Sequence, residues 1–294
     1  MNWKNFIKQH NLESFPIGLG GCRTTDFCYD VCDYDITVFD EKSESDKIIS
    51  FEDDTIHVHH GTLKETKSEI LIQYDQMQIL QDDSWDLRMF LSKIKEKRIN
   101  LFNDFAKNSL IESVFCCKKC TGGLESKNVF APCWQKCASY FLADAICALN
   151  QTKPSPSHML EMVRKFEKNP TNKQFSIVNE TVGIERATPT LLERMLKSTI
   201  GFSEMIEKND SSKYISQKHD YFVNNSMISD CYFFLGYLNK KTFVKIKDTI
   251  DRQPELIHIL KIAFDIESDP ELLTHQSQAI LNSSRQILET AFQA

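Results

Sequence analysis

The run Gly20-Gly21-Cys22-Arg23, followed after a nine-residue spacer by Asp33-Tyr34-Asp35, holds residue types suited to one kind of chemistry. A glycine pair lets backbone N–H groups approach a phosphate closely, and an adjacent arginine adds charge to that cradle. In an extended strand residues i and i+2 point to the same face, so Asp33 and Asp35 are placed to share a divalent cation. Two carboxylates on one face repel unless a cation sits between them. Glycine loop and paired carboxylates together outline a metal–triphosphate site that works by positioning and charge neutralisation.

Other constellations compete for attention. His57, His59 and His60 lie on one run, with His57 and His59 on one strand face, where paired imidazoles can bind a metal. Cys117-x2-Cys120-x12-Cys133-x3-Cys137 has spacing compatible with tetrahedral Zn2+. Cys133 and Cys137 are i, i+4 at the start of a helical run, where small apolar thiols commonly pack, and packing is the favoured reading. Lys118, Lys119 and Lys136 are candidate phosphate contacts. The segment HDYFVNNSMISDCYFFLGYLNKKTFVKIK interleaves aromatics with Lys240, Lys241, Lys245 and Lys247. Aromatics at helical spacing are core by default; the alternative is a platform for a single-stranded RNA end.

These residues need elements to position them. Tyr34 to Phe39 is β-branched and aromatic, Lys47 to Phe51 and Thr55 to His60 flank an acidic turn, and together they read as a strand followed by a hairpin. Residues 1–15 read as a short helix, and 69–81 as a helix passing into a strand. Ala138, Phe141, Leu142, Ala145, Ile146 and Leu149 trace one helical face, and the chain beyond is mostly helical. The 294 residues, 41% hydrophobic and 11% aromatic, suffice for two domains and exclude a disordered or collagen-like chain. With 35 basic and 41 acidic side chains the net charge is −6, so no global basic field draws the chain to DNA or anionic lipid. The absence of a long apolar run leads to the expectation of a cytoplasmic protein with mostly reduced cysteines and no membrane partner.

GLGGCRTTDFCYDVCDYDITVFD resembles the signature of the polymerase-β-type nucleotidyltransferase superfamily: Gly-Gly or Gly-Ser, a spacer, then Asp-x-Asp on a strand. The resemblance covers residues 15–100. It implies an α+β fold, a nucleotidyltransferase-type mixed β-sheet domain over 1–112 followed by an all-helical domain over 113–294. Gly20, Gly21, Arg23 and Cys22, the last standing where the family usually has Ser, would hold the triphosphate, with Lys136 as a further phosphate contact. Asp33 and Asp35 would ligate Mg2+ or Mn2+. The family's third carboxylate lies on a neighbouring antiparallel strand, and the run Thr55 to His59 resembles that element with His57 in the place of Asp. A shifted register would bring Asp75 or Asp54 there instead. The implied activity is metal-dependent transfer of a nucleotidyl group from an NTP to a hydroxyl of a small molecule, a protein or an RNA end. The alternative is a nucleotide-binding or interaction protein of the same fold, impaired because an imidazole suits Mg2+ badly and does not replace a carboxylate base.

Overall fold

A computed structural model describes residues 1–42, 46–52, 54–207 and 211–292. The chain divides into two compact units, residues 1–105 and 106–294, and each carries its own core. Among the described residues no helix is long and apolar enough to cross a membrane.

The first unit contains α1 (Trp3–Gln9), β1 (Ile17–Gly20), β2 (Tyr34–Val38), β3 (Lys47–Phe51), β4 (Asp54–His60), α2 (Ser68–Leu71), β5 (Gln78–Gln81) and α3 (Asp86–Glu96), then the start of α4 (Arg98–Glu125). Its strands form one mixed sheet in the order β3-β4-β2-β1-β5. Strand β1 runs antiparallel to β2 and β5, and β3 runs antiparallel to β4. Strand β4, expected antiparallel to the acidic strand, is parallel to β2. The reason is topological: the chain passes from β2 to the sheet edge, forms β3 in the reverse direction, and turns through the 52–54 hairpin to insert β4 beside β2. Glu52 takes the left-handed backbone of that turn at φ 54°, and Asp53 lies outside the described residues.

Side chains alternate across a strand, and this sheet uses the alternation strictly. Ile36 and Val38 of β2 and Ile56 and Val58 of β4 bury one face against Phe6 and Ile7 of α1, with Ile17, Leu19 and Phe51. Asp35, His57 and His59 therefore project from the other face. A second cluster, with Phe39, Leu71, Tyr74, Leu87, Phe90 and Ile94, anchors α2 and α3.

Among its described residues the second unit is helical: the remainder of α4, then α5 (Ala131–Leu149), α6 (Met159–Lys165), α7 (Pro170–Lys173), α8 (Phe175–Val182), α9 (Pro189–Glu207), α10 (Ser212–Asn224), α11 (Ile228–Lys245), α12 (Ile257–Ala263) and α13 (Pro270–Ala291). Helix α5 packs on α8 and α13, and α9 on α11 and α12. The α+β class with a following helical unit is thus what the chain adopts. The division at residue 105 falls inside α4, which continues unbroken past the expected boundary at 112.

Helix α5 departs from the one-sided reading of its sequence. Its polar side chains Gln135, Lys136, Ser139 and Asp144 are buried as well as its apolar ones. Each has a partner inside: Gln135 donates to the Thr181 carbonyl at 3.0 Å, Ser139 meets Thr181 at 2.8 Å, and Asp144 accepts from Lys240 at 2.6 Å and from Tyr237. Pairing of this kind is what makes buried polar groups tolerable. The aromatics of α11, Tyr232, Phe233, Phe234, Tyr237 and Phe243, are all buried, so the segment is core and not an RNA platform. Cys117 and Cys120 on α4 and Cys133 and Cys137 on α5 are likewise buried free thiols, and burial raises the pKa of all four.

Two helical glycines give a matched test of this packing. A Cβ on Gly236 would collide with the hydroxyl of fully buried Tyr140, whereas one on Gly122 would meet open space. Gly236→Ala should lower stability by about 1–3 kcal/mol through overpacking. Gly122→Ala should raise it by roughly 0.5–1 kcal/mol through helix propensity. Denaturant midpoints of both variants against wild type check the pair, and equal effects would contradict the packing described.

Candidate metal and nucleotide site

The site is built where β1 ends. Gly20 is paired with Asp35 across the β1–β2 ladder, so the glycine loop begins directly beside the second carboxylate. Gly21 adopts φ 71°, a backbone that favours glycine, and a Cβ there would run into the Asp35 carboxylate. Glycine is required at this position twice over, by conformation and by contact. The chain then makes a single 3-10 turn, Cys22–Thr24, with Thr24 donating back to the Gly21 carbonyl at 3.0 Å.

Arg23 closes the loop from within. Its Nη2 donates to the carbonyl of Asp30 at 3.1 Å and to that of Cys32, and its guanidinium lies 4.4 Å from the centre of the Tyr34 ring. The phosphate role expected of Arg23 thus falls to a group already holding the spacer in place. Cys22 is half-buried at the start of the turn. Lys136 sits in the second unit, 1% exposed, with Nζ donating to the Val182 carbonyl at 2.6 Å. Burial, reinforced by Arg186, lowers its pKa to about 7. That placement makes Lys136 a core residue and not a phosphate contact.

Asp33 and Asp35 share a face, as their i, i+2 spacing requires, and the strand beside them answers with imidazoles. In the parallel register Asp35 stands opposite His57 and Thr37 opposite His59. The side chains cross that register diagonally. His57 Nε2 lies 3.5 Å from Asp33 Oδ2, and His59 Nε2 lies 3.4 Å from Asp35 Oδ1. Asp33 is nearly buried, while Asp35 and His59 are each about one-third exposed. One ligand atom from each of Asp35, His57 and His59 fits within 4.8 Å of the others.

The third-carboxylate alternatives are engaged elsewhere. Asp75 forms a two-point ion pair with Arg98, at 2.8 and 3.0 Å. Asp54 opens β4 three residues before His57, which puts it on the opposite face of the strand. Position 57 of β4 is therefore where the imidazole stands beside the acidic pair.

Asp46 joins the site from outside the motif. Asp46 Oδ2 lies 2.9 Å from His59 Nδ1, on the far side of the ring from Asp35. The signal was the hairpin register: Lys47 pairs with Val58, which carries Asp46 alongside His59. Burial works to lower the His59 pKa, but hydrogen bonds and charge from Asp35 and Asp46 outweigh it and raise it to about 9. His60, the third histidine of β4, meets both oxygens of buried Asp40 at 3.0 Å and closes the end of the sheet.

No protein-family model matches the chain, and no curated protein matches it. Among solved structures, a nucleotidyltransferase-like protein from Exiguobacterium sibiricum 255-15 is similar over 76% of this chain and 90% of its own, at 13% identity and a TM-score of 0.30. The chemistry of the site is therefore read from its own geometry. For Mg2+, an oxygen-seeking ion, the two carboxylates fit and the two imidazoles do not.

The His59 environment has a consequence for pH. A histidine raised from 6.5 to about 9 on folding contributes stability that is fully present below about pH 6.5 and is lost as pH rises through about 9, because the native state holds the proton the unfolded state has released. With divalent ions removed by a chelator, the stability difference between wild type and His59→Gln should shrink across that window. Denaturant midpoints measured from pH 6 to pH 10 check it, and a pH-independent difference would contradict the pairing.

Proposed function

We propose that the first unit binds a nucleoside triphosphate through a divalent cation held at Asp33 and Asp35, with the Gly20-Gly21 loop against the phosphates, and that its reaction is nucleotidyl transfer. The observation that supports this reading is the closeness of Gly21 to the Asp35 carboxylate, which a Cβ at Gly21 would meet, so the glycine loop lies beside the acidic strand. A triphosphate lying on the loop would meet a cation on the carboxylates, as positioning-based catalysis requires. In the transfer, an acceptor hydroxyl oxygen bonds to the α-phosphorus, the bond from that phosphorus to the bridging oxygen breaks, pyrophosphate leaves, and the hydroxyl proton passes to solvent. The cation supplies charge neutralisation for the phosphates. The acceptor class, a small molecule, a protein or an RNA end, is open.

A second reading rests on position 57. With His57 beside the pair in place of an acid, transfer lacks a positioned carboxylate base, and the unit binds nucleotide without rapid transfer. The two readings diverge under substitution.

Calorimetry with each NTP, with and without Mg2+ or Mn2+, should show metal-dependent binding that the double variant Asp33→Asn, Asp35→Asn removes while the fold persists. Unchanged affinity in that variant would end the assignment. Self-labelling with radiolabelled NTP separates the two readings. His57→Asp should increase labelling, by roughly 10²–10⁴-fold if base catalysis is what wild type lacks, and Asp35→Asn on that background should remove the gain. Strong wild-type labelling that His57→Asp lowers would favour an active transferase with His57 at work.

A further inference from the structure

We propose that Asp35, His57 and His59 form a centre for a nitrogen-accepting first-row divalent ion of the zinc and cobalt class, in preference to magnesium. This goes beyond the nucleotide reading, because the ion binds with no nucleotide present.

Three side chains from two adjacent parallel strands bring one carboxylate oxygen and two imidazole nitrogens within 4.8 Å of one another. The Asp35 Oδ1 to His59 Nε2 separation of 3.4 Å is already that of two tetrahedral ligands, since ligand distances of about 2.1 Å imply an edge of about 3.4 Å. Asp46 supplies the second observation. Asp46 Oδ2, 2.9 Å from His59 Nδ1 on the outer side of the ring, orients the imidazole so that its Nε2 points at the Asp35 carboxylate 3.4 Å away. A carboxylate fixing the outer nitrogen of a ligating histidine is also the usual support of imidazole–metal bonds.

The donor set selects the ion. Imidazole nitrogen suits zinc and the later first-row metals, whereas Mg2+ takes oxygen ligands and keeps its waters. Asp35 and His59 are about one-third exposed, so an ion can enter from solvent, and His57 at 17% forms the covered wall. Three protein ligands leave a coordination position open, where a water or a phosphate oxygen can bind.

The experiment uses the full chain, purified without a histidine tag and stripped of metal, titrated separately with Zn2+, Co2+ and Mg2+ by calorimetry in the absence of nucleotide, with the visible spectrum of the Co2+ form as a second readout. One Zn2+ or Co2+ per chain is expected, with a spectrum of low-coordinate Co2+ carrying nitrogen ligands, and no Mg2+ binding at the same concentrations. Asp46→Asn alters an exposed side chain and leaves the three ligands in place; it should weaken Zn2+ binding about 10–100-fold. His59→Ala should weaken it further and bleach the Co2+ bands. Zn2+ affinity unchanged in both variants would overturn the proposal. So would Mg2+ binding as tightly as Zn2+, or stoichiometry lost on replacing Cys117 and Cys120 by Ser while His59→Ala retains it. Because no nucleotide enters the titration, failure here leaves NTP binding untouched, and failure of NTP binding leaves this centre standing.

Discussion

Carboxylates on one strand face repel each other, and burial makes the repulsion worse. In this protein the compensation comes from the adjacent strand. Each histidine of β4 meets an aspartate of the segment around β2: His57 with Asp33, His59 with Asp35, and His60 with Asp40. The arrangement depends on β4 running parallel to β2, because the slanted parallel ladder lets His57 and His59 lean toward the acid two residues behind their register partners, while His60, opposite Val38, reaches Asp40 two residues ahead. The rest of the unit follows from that pairing. The hairpin must deliver β4 in the right direction, Asp46 must arrive at its base, and Gly21 must lack a side chain so that the second oxygen of Asp35 has room.

The helical unit handles its buried and half-buried carboxylates differently. Asp144 receives an ammonium from Lys240 and a hydroxyl from Tyr237, and Asp265 receives the guanidinium of Arg186 and the hydroxyl of Tyr232. Such acids are neutralised by long, strongly basic side chains and hydroxyls, an arrangement that fixes packing. Asp35 faces an imidazole and solvent. The contrast separates a group kept for stability from one left able to bind.

Much of this was legible in the residues, and the losses have identifiable causes. β-Branched and aromatic content marked β2, and the acidic turn marked the β3–β4 hairpin, because strand propensity and turn chemistry are local. The Gly20-Gly21 and Asp33, Asp35 neighbourhood was legible because it is carried by one short segment and one strand pairing. The direction of β4 was not, since it depends on which side of β2 the hairpin inserts. Lys136 looked like a phosphate contact because its partner, the Val182 carbonyl, lies 46 residues away in sequence. The aromatics and lysines of α11 looked divisible into platform and charge, but Lys240 is paired with Asp144 across 96 residues. Asp46 was visible only through a hairpin register, and the inner boundary at residue 105 falls in a helix with no break in composition.

The claim that the glycine loop and the imidazole–carboxylate corner are one site has a direct spectroscopic measurement. Pulsed electron paramagnetic resonance of Mn2+ bound to the full chain in the presence of an NTP reports which nuclei surround the ion. Couplings to imidazole nitrogen and to nucleotide phosphorus in the same spectrum are expected, with the nitrogen signal present before nucleotide is added. Phosphorus coupling without nitrogen, or a fully hydrated ion showing neither, would contradict a single shared site.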